Sequence, residues 1–268
     1  MLNTVYRLVA PRRFEVEFND IDLHAGQIVV RPTHLSICHA DQRYYQGVRP
    51  AEVLKEKLPM ALIHEGLGEV LYDPTGTYQC GDTVIMIPNT PCEKDEVIAE
   101  NYLRSSKFRA SGFDGFMQEH VALDIDRVVP VDDSIDKVIA AFTELVSVSV
   151  HAIRRFDSIA HKRRKAVGIW GDGNLGYITA IFFKAMFPNT KLYILGVDQE
   201  KLSGFSFADD TFSVSDIPDD LYIDHAFECV GLHHSRRSTR SLIISSRKER
   251  FLFWGYQNIR FRSIHVWS

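Results

Sequence analysis

Four side chains carry the clearest chemistry in this sequence: Cys38, His64, Glu65 and Glu144. Thiolate, imidazole and carboxylate together form a reasonable shell for a catalytic zinc, with a position left for water or substrate. In such a shell zinc is a Lewis acid that polarises a carbonyl or stabilises an alkoxide. The spacing is not a local metal motif of the C-x-x-C kind. From the residue types alone, a buried core thiol beside a satisfied histidine therefore stays open as the alternative. The stretch "SICHADQRYY" around Cys38 adds His39, Asp41, Arg43 and Tyr44 within six positions.

A second chemistry-bearing stretch is Gly171-Asp172-Gly173-Asn174-Leu175-Gly176, with the spacing G-x-G-x-x-G. The first glycine permits a tight turn, the second admits a pyrophosphate to the backbone, and the third lets helix and strand pack closely. The amino terminus of the helix then faces the phosphate charge. The motif follows a strand-like run and opens a periodic helix, which is the context a dinucleotide site requires. An NAD site usually carries an acid at the end of the second strand. Here that strand ends at Gly196, which has no carboxylate, and Lys201 is placed to offset a 2′-phosphate. NADP is the expected cofactor, and Asp198, two positions further on, argues for NAD.

The elements that must position these groups fall into two halves. The first is β-rich: "GQIVVRPTHLSIC" alternates, and "GEVLYDPTGTYQCGDTVIMIP" reads as strands joined by turns. Residues 94–118 then form a polar, charged excursion, and a loop of that length is functional or disordered. The second half changes period. "KAVGIW" and "TKLYILGV" are short apolar strands, and Leu175, Ile178, Phe182 and Met186 between them recur at helical spacing. Strand, helix, strand is the βαβ pattern of a parallel sheet. The fold class is therefore β plus α/β, with a boundary between residues 140 and 150.

With 31 Lys and Arg against 35 Asp and Glu, the net charge of −4 gives no general reason to expect nucleic-acid binding. No run is apolar and long enough to span a bilayer, and the amino terminus lacks a signal-peptide pattern. The four cysteines read as reduced thiols or ligands, and the expected location is the cytoplasm.

"CHAD", "HEGLGEV", "GDTV", "FDGFMQEHV", "TELVSVSVHA", "GDGNLG" and "FECVG" stand in the order seen in the zinc-dependent medium-chain dehydrogenases. The match runs from residue 1 to about 231. "SICHADQRYY", "LPMALIHEG" and "AENYLRSSKFR" resemble the ribulose-5-phosphate reductase (ribitol-5-phosphate dehydrogenase) branch of that alcohol and polyol dehydrogenase family. The resemblance implies a GroES-like catalytic domain over 1–145 and a partial Rossmann-type domain over 146–231. It also implies reduction of D-ribulose 5-phosphate with NADPH, supplying ribitol phosphate for CDP-ribitol and so for teichoic acid or capsule. Another zinc polyol or alcohol dehydrogenase is the alternative within the class.

By this resemblance Cys38, His64 and Glu144 are the zinc ligands. Glu65 is an outer carboxylate or an exchanging ligand, Asp41 orients the ligands, and Tyr44 is a substrate-side aromatic. Many members have a proton-relaying serine or threonine where this chain has Ala40, which leaves water, Tyr44, His39 or Glu65 to carry the proton. Only Cys92 stands where many members cluster four cysteines, so no structural zinc is expected. Arg104, Lys107 and Arg109 in the excursion, and Arg43 near the zinc cysteine, are candidates for a substrate phosphate. A solvated charged loop is the alternative for the first three.

After Gly231 the resemblance stops. Residues 232–268 carry 8 Lys and Arg against 1 acid, where residues 1–231 carry 23 against 34. A frameshift near codons 231–235 is the favoured reading, followed by a divergent ending and then a basic tail for an anionic surface. Under the first reading the family's homodimer edge is compromised and a non-catalytic zinc- and nucleotide-binding relative becomes the alternative. "FLFWGY" reads as a remaining strand.

Overall fold

The computed structural model describes residues 1–230, with the backbone of two further strands at 241–246 and 249–254. It divides into two compact units, Met1–Glu144 and a second beginning at Leu145.

In the first unit, strands β1 (Leu2–Ala10) and β2 (Arg13–Asp20) form an antiparallel hairpin. Then follow β3 (Ile28–Ser36), α1 (His39–Gln46), α2 (Ala51–Lys57), β4 (Met60–Ala61), β5 (Glu65–Tyr72), β6 (Thr83–Met86), β7 (Asn89–Thr90), β8 (Lys107–Phe108), β9 (Val121–Leu123) and β10 (Val128–Pro130). The main sheet has the order β10-β6-β5-β3-β9, and all its pairs are antiparallel. β3 alternates because one face must be buried and the other not. Its inward residues Ile28 and Val30 meet Val70, Val84, Met86, Phe116, Val121 and Leu123 in one core cluster. Pro32 cannot donate to the ladder, and the register with β5 shifts between Pro32 and His34.

The charged excursion is ordered and built into this unit. Its strand β8 pairs with β7, and the chain that follows runs along the segment before β5. There Gly115 N donates to Ala61 O, Phe116 N to Ile63 O and Met117 N to Leu62 O. Arg109, a candidate phosphate ligand from sequence, has a different task. It is buried, donates to the carbonyls of Asp114 and Ala122, and lies over the rings of Phe113 and Phe116. A guanidinium spent on main-chain carbonyls inside the fold is a clamp for the excursion, which corrects the sequence reading.

The second unit opens within α4 (Thr143–Ile159), reached through α3 (Lys137–Ala140). It then alternates: β11 (Ala166–Trp170), α5 (Asn174–Met186), β12 (Lys191–Gly196), α6 (Gln199–Ser203), β13 (Asp210–Ser213) and β14 (His225–Glu228). The sheet order is β13-β12-β11-β14, every pair parallel. β11 is buried along its whole length, as a central parallel strand with both faces covered should be. Phe156, Phe183 and Phe227 fill the core beside Val167, Ile169, Leu192 and Ile194. The expected helix is present but turned. Its buried residues are Gly176, Thr179, Ala180 and Phe183, whereas Leu175, Ile178 and Phe182 are half-buried and Met186 is exposed. "YITAIFFKAMF" is apolar on nearly every side, so period alone leaves the phase of the helix open.

Asp224 ties the start of this sheet together. One carboxylate oxygen accepts from Arg163 Nε (2.6 Å) and the Tyr222 hydroxyl (2.7 Å); the other accepts from Lys165 N (2.8 Å) and Ala166 N (3.2 Å). Burial works against its charge, but the hydrogen bonds from Tyr222, Ala166, Lys165 and Arg163 outweigh it and lower the pKa. A carboxyl depressed in the folded state stabilises above its unfolded value of about 3.9, and that stabilisation is lost as pH falls through the folded value. Asp224→Asn should therefore cost roughly 2–4 kcal/mol at neutral pH. Urea midpoints of the two proteins should converge as the pH is lowered below about 4; a gap constant in pH would refute the assignment.

Strands β15 (Ser241–Ser246) and β16 (Glu249–Trp254) pair antiparallel with each other. The strand expected at "FLFWGY" falls within β16 for its first four residues. The readings of the 232–268 tail as frameshifted, divergent or surface-binding otherwise lie outside the described residues. Among the described residues no helix is long and apolar enough to cross a membrane.

Candidate functional site

Cys38 is the N-cap of α1, with its sulfur toward the backbone N–H groups of the first turn. That is a favourable place for a thiolate, since helix amino termini lower thiol pKa values. His64 and Glu65 stand where the chain enters β5. Cys38 Sγ lies 3.6 Å from His64 Nε2, and that nitrogen lies 3.9 Å from Glu65 Oε1. These three form a group whose ligand atoms all fall within 4.8 Å of one another.

The geometry fits a metal. Zinc bonds of ~2.3 Å to sulfur and ~2.0–2.1 Å to nitrogen at a tetrahedral angle set the two atoms about 3.6 Å apart. Glu65 Oε2 is buried without a hydrogen-bond partner, an arrangement that native interiors seldom leave unexplained. Burial, and after it Asp41, pushes the Cys38 thiol above its usual range. Burial pulls the His64 imidazolium down, and it raises the Glu65 carboxyl to about 7 against the hydrogen bond of Ser36. Desolvation thus drives thiol, imidazole and carboxyl toward their neutral forms; a divalent cation reverses that balance for thiol and carboxyl, and takes the imidazole in the neutral form burial already favours.

Asp41 sets the spacing of the group. Its carboxylate accepts from Cys38 N (3.1 Å) through one oxygen and from Ile63 N (2.9 Å) through the other. The side chain is buried, so one carboxylate fastens the residue before His64 to the residue that carries the thiol. Ile63 itself has φ of 70°. A β-branched residue in the left-handed region is a strained exception costing ~1–3 kcal/mol. The hydrogen bonds of its N–H to Asp41 and of its carbonyl from Phe116 N hold it there. Phe108 of β8 packs its ring edge-on at 5.1 Å from that of His64, which makes the excursion one wall of the site.

The other residues marked by sequence are distributed differently. Glu144, the second residue of α4, is half-buried and outside the group of three. Tyr44 is buried against Leu8, Met60, Leu62 and Ile63, beneath the guanidinium of Arg49, and so belongs to the core and not to an open substrate face. Arg104 and Lys107 are exposed. Arg43 is half-buried on α1.

In the second unit the glycine turn has the shape its spacing promises. Gly171 has φ of 129°, a conformation side chains rarely adopt. A Cβ on Gly176 would sit 2.0 Å from Gly171 O. At Gly173, the N-cap of α5, a Cβ would meet nothing within 4 Å, leaving open space where a pyrophosphate can reach the helix start. Asn174 and Leu175 begin that helix, half-buried Leu175 and exposed Asn174 in turn.

β12 does end at Gly196. Beyond it the sequence ambiguity resolves: Asp198 caps α6 by accepting from Glu200 N and Lys201 N, and Lys201 Nζ lies 3.7 Å from its other oxygen. Sequence reasoning passed over Asp172. Its Oδ2 accepts from both Val197 N and Asp198 N at 2.7 Å, and a Cβ at 196 would land 2.6 Å from that same oxygen. The available signal was an acid inside the glycine hexamer, where a phosphate-binding turn has no evident need of one.

Residues 24–133 match the alcohol dehydrogenase GroES-like domain. Ribulose-5-phosphate reductase of Bacillus spizizenii is 54% identical over 243 residues, 91% of this chain and 71% of the relative. Ribulose-5-phosphate reductase 1 of Staphylococcus aureus is 55% identical over the same shares. The crystal structure of S. aureus TarJ in complex with NADPH is similar at a TM-score of 0.72 and 50% identity, covering 86% of this chain. This chain spans 65% of that solved chain, just under two thirds of its length.

Proposed function

Because this chain belongs to the ribulose-5-phosphate reductase branch of the medium-chain dehydrogenases, we propose that it reduces D-ribulose 5-phosphate to D-ribitol 5-phosphate with NADPH. The observation that carries the reaction class is the buried trio of Cys38, His64 and Glu65. Zinc held by these residues, with Glu144 as a further candidate ligand, would polarise the substrate carbonyl while NADPH supplies the hydride.

The remaining work falls to the chain. Asp41 fixes the distance between Cys38 and His64 through their backbones, and Phe108 covers the imidazole from solvent. With alanine at position 40 and Tyr44 buried in the core, the proton for the new hydroxyl comes by way of His39, Glu65 or water. Gly196 itself carries no acid, the Asp172 carboxylate beside it is taken up by Val197 N and Asp198 N, Asp198 is occupied as a helix cap, and Lys201 adds positive charge there. The relative solved with NADPH supports NADP over NAD. The product would feed CDP-ribitol for teichoic acid or capsule, in the cytoplasm.

The test is turnover by the zinc-loaded 268-residue chain. NADPH oxidation with D-ribulose 5-phosphate is expected, with NADH poorer by roughly tenfold or more in kcat/KM. Stoichiometric zinc without any oxidation would sink the proposal in favour of a binding relative without turnover. Equal rates on D-ribulose and its phosphate would favour a general polyol dehydrogenase.

A further inference from the structure

Three arginines of the first unit, Arg43, Arg49 and Arg109, have a buried Nε without a hydrogen-bond partner, but Arg109 spends its other nitrogens on the carbonyls of Asp114 and Ala122. Arg7 pairs with Asp114 and Glu17, Arg31 with Glu69, and Arg127 with Asp126 and Glu100. Arg43 and Arg49 are half-buried, yet neither is paired with a carboxylate among the described residues. The Nε of each is buried and has no hydrogen-bond partner. They lie close enough for each charge to act on its neighbour: burial, then Arg49, lowers the pKa of the Arg43 guanidinium. Arg49 rests over the Tyr44 ring at 4.7 Å, which holds its plane in place. Two like charges, partly desolvated, with buried donors unmet and no counter-ion among the described residues, are a costly arrangement for a fold to keep.

Their position gives the arrangement a use. Arg43 is on α1, and Cys38 caps the same helix five residues earlier, about 7.5 Å along the axis. Arg49 follows just after the left-handed Gly47 that ends the helix. A pentulose 5-phosphate carries its dianion three carbons and one ester oxygen away from the C2 carbonyl carbon, a comparable reach. Paired guanidiniums are the preferred grip for a phosphate, since their forks match its oxygens. We propose that Arg43 and Arg49 form the binding site for the phosphomonoester of the substrate, with the Tyr44 ring as the platform under Arg49. This rests on the reduction of a phosphorylated pentulose proposed above. It moves phosphate recognition away from the excursion, where Arg109 is spent as a clamp and Arg104 is exposed.

The test uses the full chain, zinc-loaded, with Arg43→Gln, Arg49→Gln and the double variant. The preference for D-ribulose 5-phosphate over D-ribulose, as a ratio of kcat/KM, should fall about 100-fold in the double variant. Inorganic phosphate, titrated by calorimetry, should bind the parent and not the double variant. Melting temperatures should hold or rise, because removing an unpaired like charge relieves repulsion, whereas a purely structural pair would lower them. The ratio of NADPH to NADH dissociation constants separates the two possible phosphates. If that ratio collapses while the sugar preference survives, the pair serves the cofactor and the proposal is overturned. A parent chain that binds phosphate through these arginines yet reduces no ribulose 5-phosphate would fail the functional reading and leave the site standing. Variants that keep both the sugar preference and the phosphate affinity would overturn the site and leave the reaction.

Discussion

His64→Ala should empty the metal centre: zinc content should fall from about one equivalent to near none, and turnover by roughly a thousandfold or more. His64 supplies the one imidazole of the group, so the alanine variant leaves a thiol and a carboxyl too few to hold a cation. Cys38→Ala should behave alike, because the sulfur is the softest donor in the group and sits where helix N–H groups favour its charge. Asp41→Asn is the informative intermediate. It keeps every ligand but weakens the tie between Cys38 N and Ile63 N, and it should cost about 10–100-fold in zinc affinity, the range seen when outer partners are removed. Elemental analysis and NADPH binding, measured together, check the result. A His64→Ala protein with full zinc would show that the cluster is not the metal site, and one that also lost NADPH would point to misfolding.

Gly196→Asp is the second large effect expected, at the other cofactor. In many dinucleotide sites such a change would trade a 2′-phosphate for ribose hydroxyls. Here the new Cβ would meet the Asp172 carboxylate at 2.6–2.9 Å, and a second negative charge would be set beside the first. NADPH affinity should drop about 100-fold or more with no gain for NADH. Pairing the change with Asp172→Ala removes the obstruction, and NADH binding should then appear. Fluorescence titration of the two dihydronicotinamides reads both outcomes; a single variant that switched cleanly to NADH would show that Asp172 does not guard the position.

The sequence reveals the residue types of both sites more readily than their arrangement. Cys38 and His64 are legible because thiolate and imidazole are uncommon partners in a strand-rich domain, and the glycine turn because its spacing has a steric cause at each glycine. The residues that arrange them are harder to see. Asp41, Asp172 and Asp224 act by accepting main-chain N–H groups from segments distant along the chain, and no periodicity or spacing encodes which N–H will be near. The phase of α5 was hidden for a related reason: a helix apolar all round does not announce which face meets the sheet. Arg109 misled because an arginine in a charged loop has the same letters whether it greets a phosphate or locks two carbonyls. Arg49 escaped notice because its interest lies in the partner it lacks.

Asp41 also bears on how this architecture can vary over time. Cys38 and His64 are 26 positions apart, but that count does not measure the gap between sulfur and imidazole. The gap is set by one carboxylate bridging two backbones. The surface stretch around α2, with none of its residues fully buried, is therefore released from holding the ligands in register, while Tyr44, Met60, Leu62 and Ile63 of the same span stay fixed in the core. Length changes there cost little in loop entropy, each doubling adding only about 0.6 kcal/mol. Such a segment is free to drift, acquiring the arginines or aromatics that fit one sugar phosphate or another, while the metal ligands beside it stay fixed. A single buried acid thus separates what the site must conserve from what it can explore.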